Sequence, residues 1–250
     1  MLDPFYFESK PQTKQDIFFD SHCHLQYEPL SLELADVVQQ AQQVGLKKLI
    51  CIGTDYESSQ KAIQIAKQYP GYVYATVGEH PCEHNQTVSK FETDKFRKLI
   101  QAESQYVVAV GETGLDLHHD QKFSNEQLAS LQAHIELALE FNLPVVLHIR
   151  PYDTCFEQVW DMLEQNKVQK AIFHCYSGSL QQAQRIWAKG YKTSFSLIVS
   201  YPKNTQLHEV YKLCPLENLL IETDAPFLPP QSKRGKTCYP HYLEFFQALM

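Results

Sequence analysis

The chain has 250 residues and a formal net charge of −7, an acidic balance that argues against a protein coating nucleic acid through a broad basic surface. No apolar run approaches the roughly 18 residues of a membrane span, and the N-terminal residues lack the basic start and apolar stretch of a secretory signal. Since the seven cysteines also lack paired spacing, we expect reduced thiols, a cytoplasmic location and no membrane binding.

Short runs of β-branched and aromatic residues alternate with amphipathic stretches along the chain, an order typical of repeated βα units. The runs predict eight strands, at residues 17–20, 47–53, 72–78, 107–112, 144–149, 170–175, 192–196 and 219–224. The amphipathic stretches predict helices at residues 31–45, 58–70, 93–104, 125–142, 154–166 and 179–190. Several of these open with Ser, Thr or Asn and close at Gly, Asn or Pro.

Eight parallel strands with outer helices predict an α/β fold of the closed (β/α)₈ TIM-barrel class, for which this length is usual. A doubly wound open sheet is the main competing architecture. No composition shift or linker divides the chain, so residues 1–250 are expected to form a single domain. The last predicted helix, starting near Tyr239, is brief for one that covers the eighth strand, which leaves open that C-terminal residues are missing.

Six potential metal ligands stand at the ends of five predicted strands. The first strand leads into His22 and His24, which are two residues apart and therefore project to the same side. The other four follow apolar runs at the C-terminal ends of strands, where barrel active sites are built. They are Glu112, His148, His174 and Asp224.

Metal coordination explains these six side chains better than packing does. A lone His after an apolar run is more often a hydrogen-bonded core residue than a ligand. Burying four His and two carboxylates without partners, however, would cost several kcal/mol each. The donor set suits zinc, manganese or magnesium, and six ligands exceed the usual three at one catalytic zinc. We therefore expect two divalent metal ions (Mg, Mn or Zn), bridged by the two oxygens of Glu112.

The ordered motifs FFDSHCHL, VGEHP, VGETGLD, PVVLHIR, FHCYSGS and LIETDAPFLPP followed by RGK resemble those of the TatD family of metal-dependent deoxyribonucleases. The resemblance runs from about Phe19 to Pro240. It implies one cation held by His22, His24, Glu112 and Asp224, and a second held by Glu112, His148 and His174.

The resemblance also implies a reaction, the hydrolysis of DNA phosphodiesters, often from the 3′ end. A metal-activated water would attack phosphorus, Asp224 would help to take its proton, and His80 would contact phosphate. We therefore expect catalytic roles for Asp224 and Glu112. The sequence departs from the family at Cys82, where another His is common, and at residues 237–240, which replace an Arg-Asn-x-Pro-like continuation. These departures affect substrate binding rather than metal binding.

Four further polar residues have two interpretations each. Arg150 shares the side of His148 and predicts a phosphate contact or a structural ion pair. Arg234 belongs to a basic loop after the eighth strand, which in barrels commonly holds phosphate but is otherwise an ordinary solvated loop. Asp20 and Asp116 are candidates to orient a ligand imidazole, or are simple loop and turn carboxylates. We expect His80, Arg150 and Arg234 to bind substrate.

These residues favour one of three functions. The first is a two-metal 3′–5′ exonuclease whose substrate is DNA, as single strands or ends. The alternative is an amidohydrolase of a small-molecule amide or ester, but related hydrolases typically carry a modifiable Lys at the position of Glu112. A binding protein with a vestigial site would lack a ligand, whereas all six are present. Nothing in the sequence indicates a protein partner.

Overall fold

A computed structural model describes residues 4–6, 11–82, 91–118 and 122–247. Its eight strands pair in chain order within one parallel sheet. They are β1 (Asp20–Cys23), β2 (Leu49–Cys51), β3 (Val73–Val77), β4 (Val107–Asp116), β5 (Val145–Arg150), β6 (Ala171–Phe173), β7 (Lys192–Phe195) and β8 (Leu219–Ile221).

Backbone hydrogen bonds between the chain just after β8 and the end of β1 close the sheet into a barrel. The amide of His24 donates to the carbonyl of Ala225 at 2.7 Å, and the amide of Asp224 donates to the carbonyl of His22 at 2.9 Å. The predicted TIM-barrel class is confirmed, and the open doubly wound sheet is excluded. That residues 1–250 form a single domain stays a prediction.

Eight α-helices occur within the described ranges. They are α1 (Leu34–Gln43), α2 (Tyr56–Gln68), α3 (Thr93–Ala102), α4 (Ser124–Phe141), α5 (Tyr152–Gln165), α6 (Leu180–Ala188), α7 (Thr205–Leu213) and α8 (Glu244–Gln247). The first six match the predicted helices within a few residues, whereas α7 was not predicted. A 3₁₀ helix at Pro240–Leu243 precedes α8, and residues 248–250 lie outside the described part. None of the described helices is long and apolar enough to cross a bilayer.

The first strand lies at Asp20–Cys23 rather than at the predicted 17–20. Residues Lys14–Ile17 instead form a 3₁₀ helix, in which the Asp16 carboxylate accepts hydrogen bonds from the amide and hydroxyl of Thr13. Ile17 and Phe18 pack into the main hydrophobic cluster with residues of the outer helices. The apolar run therefore predicted burial correctly, whereas the strand prediction for residues 17–19 was wrong.

The barrel interior changes from apolar to polar along the strands. A small cluster contains Ile50, Val108, Val146, Ile172 and Leu220 from five strands, closed by Phe5 and Phe19. Because side chains alternate along a strand, residues two and four positions further on face the same side. These positions hold His148 on β5, His174 just after β6, and Glu222 and Asp224 just after β8. A polar layer therefore lies next to this apolar cluster, at the C-terminal end of the barrel.

Candidate metal centre

Glu112 lies at the centre of the polar layer, with its two oxygens turned toward different histidines. Its Oε2 is 3.3 Å from Nε2 of His22. Its Oε1 is 3.0 Å from Nδ1 of His148 and 2.8 Å from Nε2 of His174. The carboxylate thus contacts imidazoles contributed by three other strands or strand ends.

Asp224 is the second carboxylate that lies beside His22. Its Oδ1 lies 3.3 Å from Nε2 of His24 and 3.6 Å from Nε2 of His22. The structure therefore brings all six sequence-predicted ligands into one site, in which His22 lies between the carboxylates of Glu112 and Asp224.

The donor atoms are close enough to one another to hold cations. Among the described residues, three triplets have ligand atoms within 4.8 Å of one another: His22, His24 and Asp224; His22, Glu112 and His174; and His80, Glu112 and His148. His80, predicted as a phosphate contact, has Nε2 3.6 Å from Oε1 of Glu112. It therefore lies slightly further from Glu112 than His22, His148 and His174 do, but still within the cluster.

His22 supplies a direct test of whether these residues suit a metal ion. It is 1% exposed, and neither ring nitrogen makes a hydrogen bond. A buried polar nitrogen without a partner is costly, and such groups in native proteins usually have an explanation. A divalent cation beside Nε2 would satisfy this nitrogen together with the carboxylates that it faces. The residues present therefore fit divalent cations.

Buried acceptors hold the ring nitrogens that point away from the centre. Nδ1 of His174 donates to Oε1 of Glu222 at 3.2 Å, and that oxygen also accepts from the amide of Cys175 at 2.8 Å. Nδ1 of His24 donates to the carbonyl of Ile52 at 3.2 Å. Partners of this kind fix the tautomer and orientation of a ligand imidazole. The sequence analysis missed Glu222, although its position two residues before Asp224 places it on the same side of the strand.

The two carboxylates predicted to orient an imidazole have different outcomes. Asp116 has Oδ2 2.9 Å from Nε2 of His148, as predicted. For Asp20 the prediction is wrong, because its carboxylate accepts from the hydroxyl and amide of Thr223 and from the backbone amide of His22. Burial raises the pKa of Asp20 to about 8. Asp20 thus ties β1 to the chain after β8 and does not contact a ligand ring.

The backbone of β4 approaches β5 closely at the site. The pairing register of these strands shifts between Val110 and Thr113, the segment that carries Glu112. Gly114 has a φ of +146°, and a Cβ built there would lie 2.0 Å from the carbonyl oxygen of His148. Only glycine fits this position, because a side chain would push β4 away from the strand that carries His148.

The histidines keep the central carboxylates ionised. Burial by itself raises the pKa of Glu112, but the imidazoles of His174 and His22 are among the groups that hold it well below its ordinary value. Burial likewise opposes ionisation of Asp224, yet the hydrogen bond from His24 keeps its pKa lowered. Burial lowers the pKa of His80 to about 3, so this ring is neutral. Two ionised carboxylates among imidazoles suit a cation.

A cavity of about 550 Å³ opens above this centre. Its wall includes Arg150, Tyr27 and Phe227 together with His80 and Asp224. The structure therefore brings two of the three predicted substrate contacts, His80 and Arg150, to the cavity.

Arg234, the third predicted contact, is not among the described residues that line the cavity. Its guanidinium lies over the ring of Tyr201, 5.8 Å from the centroid. Substrate binding by Arg234 stays a prediction that this geometry does not support.

Comparison with known proteins identifies relatives over nearly the full chain. A family model described as TatD related DNase matches residues 19–248. A metal-dependent hydrolase of Mycoplasma genitalium, described as uncharacterised, is 32% identical over 90% of this chain and 87% of its own length. A Salmonella typhimurium protein named 3′-5′ ssDNA/RNA exonuclease TatD is 32% identical over 90% of this chain and 88% of its own. The crystal structure of YjjV, a TatD homologue from Escherichia coli, superposes with a TM-score of 0.86 at 32% identity, covering 93% of this chain and 88% of that one.

Proposed function

Because the chain belongs to the family of TatD-related DNases, we propose that this metal-dependent hydrolase removes nucleotides from the 3′ end of single-stranded DNA with two divalent cations. The observation that carries the proposal is the position of Glu112. Its Oε2 faces His22, while its Oε1 faces His148 and His174. One carboxylate with an oxygen toward each group is the arrangement by which two cations are bridged.

The proposed ligands follow the two groups. His22, His24, Glu112 and Asp224 would hold one cation, and Glu112, His148 and His174 would hold the other. When bound, the cations, which we take to be Mg, Mn or Zn, polarise the phosphate and lower the pKa of water.

The protein side chains supply the proton acceptor and the positioning. Asp224 lines the cavity with a lowered pKa and is ionised at neutral pH. Its Oδ1 faces His24 and His22, so we assign the other oxygen, Oδ2, to accept the proton of the attacking water. Arg150 and His80, both in the cavity wall, contact the phosphate oxygens. Asp116 and Glu222 orient the rings of His148 and His174.

The amidohydrolase alternative is not favoured by any feature of the site. A carboxylate, Glu112, stands where the related amide and phosphotriester hydrolases typically carry a modifiable Lys, and it contacts both groups of ligands. The cytoplasmic location and the absence of a protein partner stay predictions from the sequence.

Strand polarity and substrate class are tested with single-stranded oligonucleotides labelled at either end, with and without Mg or Mn. We expect the 3′ label to be released at once as mononucleotide, while the 5′-labelled strand shortens stepwise. RNA of the same sequence and blunt duplex DNA serve as comparison substrates. Immediate release of the 5′ label would contradict the polarity, and faster hydrolysis of RNA would contradict the preference for DNA.

A further inference from the structure

Phe227 is an exposed aromatic residue in the wall of the metal cavity. Among the described residues, the large apolar side chains classed as exposed are Leu32, Leu139, Leu213 and Phe227. Phe227 alone of these four is aromatic and lines the cavity, and its side chain is 50% exposed. An apolar ring that stays open to solvent beside a polar cavity suits a ligand with a flat apolar face.

Short turns tie Phe227 and a second aromatic residue, Tyr27, to the proposed ligands. The amide of Phe227 donates to the carbonyl of Asp224 at 2.8 Å, and the amide of Tyr27 donates to the carbonyl of His24 at 3.1 Å. Each aromatic residue thus lies three residues after a ligand, within a hydrogen-bonded turn. The backbone of each aromatic residue is therefore held close to the metal centre.

The rings form a corner at the mouth of the cavity. Tyr27 stacks on His24 with centroids 5.2 Å apart and planes 10° from parallel, and its hydroxyl contacts that of Thr54. Phe227 meets His24 edge to face at 5.9 Å and Tyr27 at 6.4 Å. One face of Tyr27 is covered by His24, so Phe227 carries the larger free aromatic surface.

Building on the proposed function, we propose that Phe227 stacks on the base of the 3′-terminal nucleotide and so sets the scissile phosphate over Glu112 and Asp224. A nucleobase is one sugar away from its own phosphate, and Phe227 packs against the proposed ligand His24 with ring centroids 5.9 Å apart, so a base on Phe227 keeps its phosphate near the metal centre. Stacking tolerates any sequence, because every base has a π-face, and it strengthens binding about tenfold or more per base. Phe227 is thus a specificity-determining residue that selects a terminal nucleotide with a base.

The test compares two single-stranded oligonucleotides that differ only at the 3′ end, one ending in thymidine and the other in an abasic sugar. We expect the wild-type kcat/KM to be about tenfold higher for the thymidine end. Phe227→Leu should lose this preference by slowing the thymidine end alone, and Phe227→Trp should keep it. Leu213→Ala is the matched control, since Leu213 is 54% exposed but lies outside the cavity wall. A Phe227→Leu protein with an unchanged preference would overturn the proposal.

Binding separates this proposal from the hydrolytic one. The same two oligonucleotides, with a phosphorothioate at the last linkage to slow hydrolysis, are titrated by fluorescence anisotropy. Tighter binding of the thymidine end by the wild type, lost in Phe227→Leu, supports stacking even if neither strand is cleaved. In that case the proposed reaction fails and the stacking site stands. Equal binding of the two ends by the wild type overturns the stacking site, whatever the rate of hydrolysis.

Discussion

Substitutions at Glu222 test whether this residue orients His174, a proposed metal ligand, and measure its contribution to folding stability separately. Its Oε1 accepts from Nδ1 of His174 and from the amide of Cys175, while its Oε2 is buried and has no hydrogen-bond partner. The side chain is fully buried, and a buried polar group is costly unless it is hydrogen-bonded. In Glu222→Gln, an amide oxygen can take the place of Oε1 and accept the same two hydrogen bonds, while the amide nitrogen takes the place of Oε2.

The two substitutions at Glu222 should therefore differ in degree. Glu222→Gln is expected to lose less folding stability than Glu222→Ala, because it keeps an acceptor for both hydrogen bonds. It should bind cations about tenfold more weakly than the wild type, at the lower end of the range for such partners. Glu222→Ala leaves two buried donors without an acceptor, which costs about 1–3 kcal/mol each in folding free energy. Its cation affinity should fall by up to about 100-fold.

Both quantities are measured on the same preparations. Cation affinity and stoichiometry come from calorimetric titration of metal-stripped protein with Mn or Zn, and stability comes from urea unfolding in chelator. Glu209→Gln, at an exposed position on α7, is the control for loss of a carboxylate. Unchanged cation affinity in both Glu222 variants would refute the assignment of Glu222 as the residue that orients His174.

Three further predictions follow from the same geometry. Gly114→Ala should destabilise the fold and weaken cation binding more than Gly45→Ala. Both glycines have a positive φ, but of the two only Gly114 would place a Cβ against backbone, 2.0 Å from the carbonyl oxygen of His148. Thermal unfolding and metal titration of both variants check this prediction. Chelator should lower the unfolding temperature of wild-type protein, because cations present at about 100 times their dissociation constant stabilise the fold by about 2.7 kcal/mol; an unchanged temperature would mean that no cation binds the native state. The dependence of oligonucleotide affinity on salt should be modest, because a chain of net charge −7 contacts few phosphates; a steep slope would indicate a broad basic surface.

The sequence predicted that the six candidate ligands lie together, because strand ends in a barrel converge whatever their exact limits. The predicted limits of β1 and β4 were wrong, at 17–20 against Asp20–Cys23 and at 107–112 against Val107–Asp116. His22 and Glu112 nevertheless reach the centre, although the pairing register shifts between Asp20 and Cys23 and between Val110 and Thr113, because the carboxyl ends of barrel strands meet at one mouth. The candidate ligands therefore depended on their place at strand ends and not on exact boundaries.

The features that sequence analysis missed fall into two kinds. Helix α7 and Glu222 had usable signals: Leu207, Val210 and Tyr211 are buried at helical spacing, and Glu222 shares the parity of Asp224. The partners of Asp20 had no such signal. A buried carboxylate at a strand end can accept from an imidazole or from backbone amides, and which one it meets depends on the closure of β1 against the chain after β8.

The central claim is that Asp224 and the cations act together in hydrolysis of a DNA phosphodiester. The most direct measurement is the release of nucleotide from 3′-labelled single-stranded DNA by wild-type protein, metal-stripped protein and the Asp224→Asn variant, each checked for folding by circular dichroism. The account predicts shortening of the DNA by the wild type in Mg or Mn, none after metal removal, and a rate lower by orders of magnitude in a folded Asp224→Asn protein. Equal rates in the wild type and Asp224→Asn, or no shortening by a metal-loaded wild type, would contradict it.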